Sequence, residues 1–206
     1  MKVLLVNGSP HAKGCTYTAL EEVAGALKKQ GIDTEMFWLG TDPIAGCIGC
    51  GVCAKTGSCF RKDKVNEFAN LAKEADGFIF GTPVHYAGAS GAITSFMDRA
   101  FYASGSALRG KPAACIASCR RAGATATFDQ LNKYFSISCM PIVSSQYWNM
   151  VHGSNPDEVR QDLEGLQTMR TLGNNMAWLL KCIELGREQG IVMEEKEPRL
   201  RTDFIR

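Results

Sequence analysis

Val3-Leu4-Leu5-Val6-Asn7-Gly8-Ser9-Pro10-His11-Ala12-Lys13-Gly14-Cys15-Thr16 decides the fold, because an unbroken apolar run there stops at a turn-forming tetrapeptide. A strand without polar alternation suits the centre of a parallel sheet covered on both faces. From Thr16 the spacing turns helical: Tyr17, Leu20, Val23, Ala24 and Leu27 recur on one side, and Gly31 closes the segment. Gly8 to Thr16 therefore spans a strand-to-helix junction, where backbone N–H groups and the positive helix end favour an anion. Its spacing is neither G-x-G-x-x-G nor a P-loop, so a phosphate monoester is a simpler guest than a dinucleotide or ATP. An ordinary turn capped by Ser or Thr is the alternative that the motif leaves open.

The alternation continues outward. Thr34 to Leu39 predicts a second strand, Lys64 to Ala75 a helix, and Phe78-Ile79-Phe80 a buried third strand closed by Gly81-Thr82-Pro83. A helix from about Ser90 to Tyr102, a fourth strand over Ala113 to Ala117 and a helix over Thr125 to Phe135 follow, with Pro141-Ile142-Val143 as the core of a fifth strand. The last helix starts beside Asn155-Pro156-Asp157, where a capping residue, a first-turn proline and an early acid coincide. Its expected buried stripe is Val159, Leu163, Leu166, Leu172, Met176, Leu179 and Ile183, with Gly173 a candidate interruption. Five strands alternating with helices predict a doubly wound α/β fold, a five-stranded parallel sheet with helices on both faces. Ligands of such sheets bind at the carboxyl ends of the strands, here the loops after Val6, Phe80, Ala117 and Val143.

At 206 residues one large domain is expected: residues 1–190, with a cysteine-rich insertion at 40–63 and a charged extension over 191–206. Hydrophobic residues at 45% and charged residues at 21% exclude disordered and fibrous classes. A formal charge of +2 argues against nucleic-acid and membrane-surface partners. The run in Met1 to Val6 is too short for an export signal, and no window reaches the roughly 18 apolar residues of a membrane span. A cytoplasmic location is expected, where nine cysteines stay reduced. Cys115, Cys139 and Cys182 read as small core hydrophobes.

Four other cysteines crowd together. Cys47, Cys50, Cys53 and Cys59 form Cys-x2-Cys-x2-Cys-x5-Cys inside a connection too long to be an ordinary loop. Four soft thiolates select an iron–sulfur cluster or zinc. The run at two-residue gaps is similar to the bacterial ferredoxin arrangement, although its last gap and following proline differ, whereas zinc sites more often use two separated pairs. Gly46, Gly49, Gly51 and Gly57 let the chain wrap closely, and Lys55, Arg61, Lys62 and Lys64 offer charge compensation.

Gly8-Ser9-Pro10 followed by Gly14-Cys15-Thr16 resembles the FMN-phosphate loop of the NAD(P)H-dependent FMN reductase branch of flavodoxin-like proteins. Those proteins more often carry Arg and Asn where this chain has His11 and Cys15. The resemblance implies a flavodoxin-like fold, FMN as cofactor, and phosphate contacts from Ser9, His11, Gly14, Cys15 and Thr16. Thr82 to Gly88 resembles the family's second flavin loop, which places Pro83, Val84, His85, Tyr86 and Gly88 at the ring edge, with Tyr86 able to stack and His85 either a ring contact or merely a polar loop residue. Ser118-Cys119-Arg120-Arg121-Ala122-Gly123 resembles the third. There Ser118, Arg120, Arg121 and Gly123 would line the pyrimidine side, and an arginine would stabilise negative charge on reduced flavin; two solvated arginines are the alternative. The aromatics of Gln146-Tyr147-Trp148-Asn149 suit flavin, core or interface.

A compact cysteine motif within this fold is the mark of iron-sulfur flavoproteins. It implies a [4Fe-4S] cluster on Cys47, Cys50, Cys53 and Cys59, in a likeness that runs from Met1 to about Ile183. The implied function is an FMN-dependent oxidoreductase passing electrons between NAD(P)H or ferredoxin, FMN and the cluster, with no side chain acting as acid or base. Two alternatives stand beside it: a cluster-free NAD(P)H-dependent FMN or quinone reductase, and a non-enzymatic flavodoxin-like carrier with structural zinc. A homodimer or homotetramer is expected, since a cluster serving the flavin of another subunit would require one.

Overall fold

The computed structural model describes residues 1–195, 197, 198, 200 and 202. Lys196, Arg199, Arg201 and residues 203–206 of the expected extension lie outside the described residues. In chain order the elements are β1 (Lys2–Asn7), α1 (Cys15–Lys29), β2 (Asp33–Trp38), α2 (Val52–Thr56), α3 (Lys64–Glu74), β3 (Gly77–His85), β4 (Gly88–Ala89), α4 (Gly91–Leu108), β5 (Ala113–Cys119), α5 (Ala124–Ile137), β6 (Met150–His152), α6 (Pro156–Gln161) and α7 (Leu163–Glu188).

The sheet runs β2-β1-β3-β5-β6, every neighbour parallel, and short β4 pairs antiparallel with the end of β3. Among the described residues there are therefore six strands rather than five, the extra one being that hairpin arm. Side chains alternate across the sheet. Leu4, Val6, Phe78, Phe80 and Cys115 enter the layer under α3, α4 and α5, whereas Val3, Leu5, Ile79, Ala114 and Ile116 enter the layer under α1, α6 and α7. The first layer is aromatic: Phe68 meets Phe96 edge-on at 5.2 Å and touches Phe37, Phe78 and Phe80. Truncating Phe68 to Ala would cost about 3–5 kcal/mol. The second layer closes tightly between α1 and α7, where a Cβ on Gly173 would meet Ala26 Cβ at 2.7 Å and Val23 O at 2.8 Å.

Several expectations shift in register. The fifth strand is not at 141–143, where Ile142 makes only an isolated bridge to Ala113. Ser145 Oγ then bonds Tyr147 O and Asn149 Oδ1, a local bonding that competes with the ladder. Pairing resumes at β6. Gly173 does not interrupt the last helix; the break falls at Asp162, whose carboxylate caps α7 through Gly165 N, and the reset phase leaves Leu163 exposed. α4 runs on past Tyr102 to Leu108, which buries its side chain. Of the three expected core cysteines only Cys115 is buried. Cys139 takes a left-handed φ of 55° in the turn that ends α5, and Cys182 lies on the outer face of α7.

Candidate functional site

The loops after β1, β3 and β5 form one stitched surface at the carboxyl end of the sheet. Asn7 ends β1 with its side chain buried; its Oδ1 accepts from Ser9 N at 3.0 Å and its Nδ2 donates to Ala12 O at 3.2 Å. Gly8 N donates to Gly81 O at 2.8 Å, and a Cβ on Gly8 would strike Ile93 at 2.9 Å, so only glycine fits. Trp38 Nε1 donates to Ser9 O at 2.9 Å. The loop is thus fixed from beneath while α1 begins at Gly14 with no side-chain cap, which leaves its first-turn N–H groups facing outward. His11 and Lys13 are exposed beside them, on a hollow of about 480 Å³ that Ser154, Asn155 and Pro156 close on the far side.

Not every expected side chain points into this hollow. Ser9 Oγ accepts from His11 N at 3.1 Å, and the Thr16 hydroxyl is buried against Ser118 Oγ at 2.7 Å. Cys15 Sγ lies 3.6 Å from Gly153 O, and burial raises its thiol pKa. Gly14 N donates to His11 O at 3.3 Å, so the backbone N–H groups left open at the start of α1 begin at Cys15, an arrangement that suits a phosphate.

The second loop is a tight hairpin. Register pairs His85 with Gly88, leaving a two-residue turn in which Tyr86 has φ 49° and Ala87 φ 60°. Turns of this hand favour Asn-Gly, and a non-glycine residue held there costs on the order of 1–3 kcal/mol. Strain of that kind collects at binding sites, and here it holds the Tyr86 ring fully in solvent, with His85 exposed next to it. Pro83 and Val84 are half-buried at the root of the hairpin. Thr82 Oγ1 accepts from Ser90 N at 3.2 Å, and Ser90 Oγ donates to Gly8 O at 3.3 Å while capping α4 through Ile93 N. The third loop reaches the hairpin through Gly123: at φ 89°, a Cβ there would lie 2.5 Å from Ala87 Cα. Arg120 and Arg121 stand exposed between. In the segment between α5 and β6, Tyr147 and Trp148 are exposed and pack edge-on at 4.8 Å.

The cysteine segment is built differently. Between β2 and α3 it forms only the five-residue α2, bracketed by left-handed Gly51 and Gly57. Cys47 and Cys50 are exposed, Cys53 and Cys59 half-buried, and all four line one cavity of about 220 Å³ together with Ile48, Phe60, Arg99 and Tyr102. Among the described residues no three His, Cys, Asp or Glu side chains converge as a ready group for a metal ion. Cys59 is the anchored member. Asn66 clamps its backbone, accepting from Cys59 N at 3.0 Å and donating to Cys59 O at 2.8 Å, and Arg99 reaches its sulfur from α4. Of the expected compensating cations, Lys64 is paired with Glu67 at 2.7 Å and Arg61 lies over the Phe60 ring at 5.0 Å.

Residues 1–155 match the family described as NADPH-dependent FMN reductase. The chain belongs to that family. It is 34% identical to an iron-sulfur flavoprotein of Methanocaldococcus jannaschii over 192 residues, which is 89% of this chain and 100% of the relative. A second iron-sulfur flavoprotein of that organism is 30% identical over 196 residues, 88% of this chain and 98% of the other. A solved flavodoxin from the domain Archaea shares the fold, with a TM-score of 0.61 at 16% identity over 88% of this chain and 99% of that one. No helix among the described residues is long and apolar enough to cross a membrane.

In this FMN reductase family member the residues that fix the loops were largely silent in sequence. Asn7 and Ser90 sit at strand and helix ends, where polar residues are common. Trp38 carried no signal beyond its place in the expected second strand. Asp63 had a visible signal as the capping residue of α3, accepting from Val65 N at 3.2 Å. Nothing in the spacing of α4 separated buried Arg99 from neighbouring Asp98.

Proposed function

We propose that this chain is an FMN-dependent oxidoreductase of the iron-sulfur flavoprotein type, which passes electrons between a reduced donor, FMN and a [4Fe-4S] cluster. The observation that carries it is the gathering of Cys47, Cys50, Cys53 and Cys59 around one cavity in a chain whose flavin-type loops are already tied together. Bound FMN supplies exchange between two-electron and one-electron chemistry, and a cluster supplies the one-electron side. The chain's own part is to bind and to tune. Open N–H groups at the start of α1 receive the phosphate, the raised Tyr86 meets the ring, and Arg120 or Arg121 offsets negative charge on the pyrimidine side. No side chain is needed as an acid or base.

The donor set fits the cluster. Thiolates spread around about 220 Å³ suit several iron atoms, each taking one sulfur, better than a single zinc with every sulfur at about 2.3 Å. Exposed Ile48, Phe60 and Tyr102 at the mouth of the cavity favour a homodimer or homotetramer that covers them. Nine unpaired cysteines fit a reducing cytoplasm. Anaerobic mixing with NADH, NADPH and reduced ferredoxin tests the electron-transfer role: flavin absorbance bleaches with at least one of them, and a flavin that stays coloured with all three contradicts it.

A further inference from the structure

Arg99 projects from the middle of α4 with its side chain 2% exposed. Burying a guanidinium costs several kcal/mol unless its donors are met, and here all five are. Nη1 donates to Asp63 Oδ2 at 2.6 Å and to Ala45 O at 3.3 Å. Nη2 donates to Asp63 Oδ1 at 2.9 Å and to Cys59 Sγ at 3.1 Å, and Nε donates to the same sulfur at 3.4 Å.

The geometry is directional. The paired bonds to Asp63 fix the plane of the fork, and that plane turns the edge formed by Nε and Nη2 onto sulfur. Two charged donors aimed at one sulfur match the thiolate that a cysteine must be when it ligates a metal. Asp63 is itself held as the cap of α3, and Asn66 in the first turn of that helix pins the Cys59 backbone, so the start of α3 fixes both the partner of the cation and the sulfur. Among the described residues no arginine or lysine hydrogen-bonds the sulfur of Cys47, Cys50 or Cys53, whereas Arg99 bonds that of Cys59 twice.

We propose that Arg99, locked by Asp63, is a positioning residue that holds Cys59 as an anionic ligand and biases the cluster toward its reduced form; this rests on the cluster assignment above. Reduction adds negative charge to the cluster, and hydrogen bonds and positive charge at a ligand sulfur stabilise that added charge, raising the reduction potential.

The test compares wild type, Arg99→Gln and Arg99→Lys, all purified anaerobically. Iron and acid-labile sulfide per chain, the rate of iron loss to a chelator, FMN content and the potential of the cluster in a reductive titration are read for each. Arg99→Gln is expected to keep FMN, lose iron about 10–100-fold more readily and shift its remaining cluster to a more negative potential. Arg99→Lys, which keeps the charge without the fork, shifts the same way by less. A purely structural Arg99 would lower stability and leave the potential alone. If Arg99→Gln does not fold, as loss of FMN would reveal, Arg99→Lys decides. An unchanged potential and chelation rate, with the cluster present in wild type, overturn the role of Arg99 and leave the cluster assignment standing; wild type without iron and sulfide overturns both.

Discussion

The loops we assign to flavin and the cysteine segment share helix α4 yet are held in opposite ways. At its start, Ser90 ties α4 to Gly8 and Thr82; nine residues on, about 14 Å along the axis, Arg99 reaches the cysteine cavity. The flavin loops grow out of buried strand ends and are cross-linked by hydrogen bonds between Thr16 and Ser118, Ser90 and Gly8, and Trp38 and Ser9. The cysteine segment grows out of the carboxyl end of edge strand β2 and is anchored at Cys59, while Cys47 and Cys50 lie in solvent on glycine-rich chain. A cradle of the first kind is formed before its ligand arrives. A segment of the second kind leaves much of its ordering to the guest, because exposed backbone with few packed neighbours contributes little order of its own.

That contrast can be broken at either end. The largest effect is expected from Cys50→Ser, which removes a soft ligand: iron and sulfide fall to near background while FMN content stays that of wild type, as metal analysis and flavin absorbance will show. Equal loss of both cofactors would mean that the two regions fold as one. Next comes Gly123→Ala. It forces a Cβ against Ala87 backbone at a left-handed position, and urea denaturation of the apoprotein should show about 2–4 kcal/mol lost together with weaker FMN binding. The smallest effect has the opposite sign. Ala87→Gly relaxes a φ of 60° and should raise apoprotein stability by about 1 kcal/mol while FMN binds less tightly, since the hairpin that presents Tyr86 becomes more pliant.

The same contrast explains what the sequence disclosed. Central strands announce themselves, since burial on both faces forces continuous apolar runs such as Val3 to Val6 and Phe78 to Phe80. The cysteine motif was equally plain, because thiol spacing is chemistry written along the chain. The edge strand was misplaced. Ile142 is apolar and β-branched but exposed at the sheet edge, and a serine side chain, not a turn dipeptide, redirects the chain before β6. Arg99 escaped notice for a different reason: a lone arginine in an amphipathic helix reads as solvated, and its burial depends on Asp63 and Cys59, both distant in sequence. Cys139 occupies a helix-ending left-handed position usually given to glycine, which no count of hydrophobic neighbours reveals.

What the four thiols hold decides whether this chain is a relay or a simple flavin binder. Iron, acid-labile sulfide, zinc and FMN should be measured on one anaerobically purified sample of the wild-type chain. About four iron and four sulfide per chain are expected beside about one FMN and negligible zinc. Stoichiometric zinc, or two iron atoms or fewer in flavin-replete protein, would contradict it.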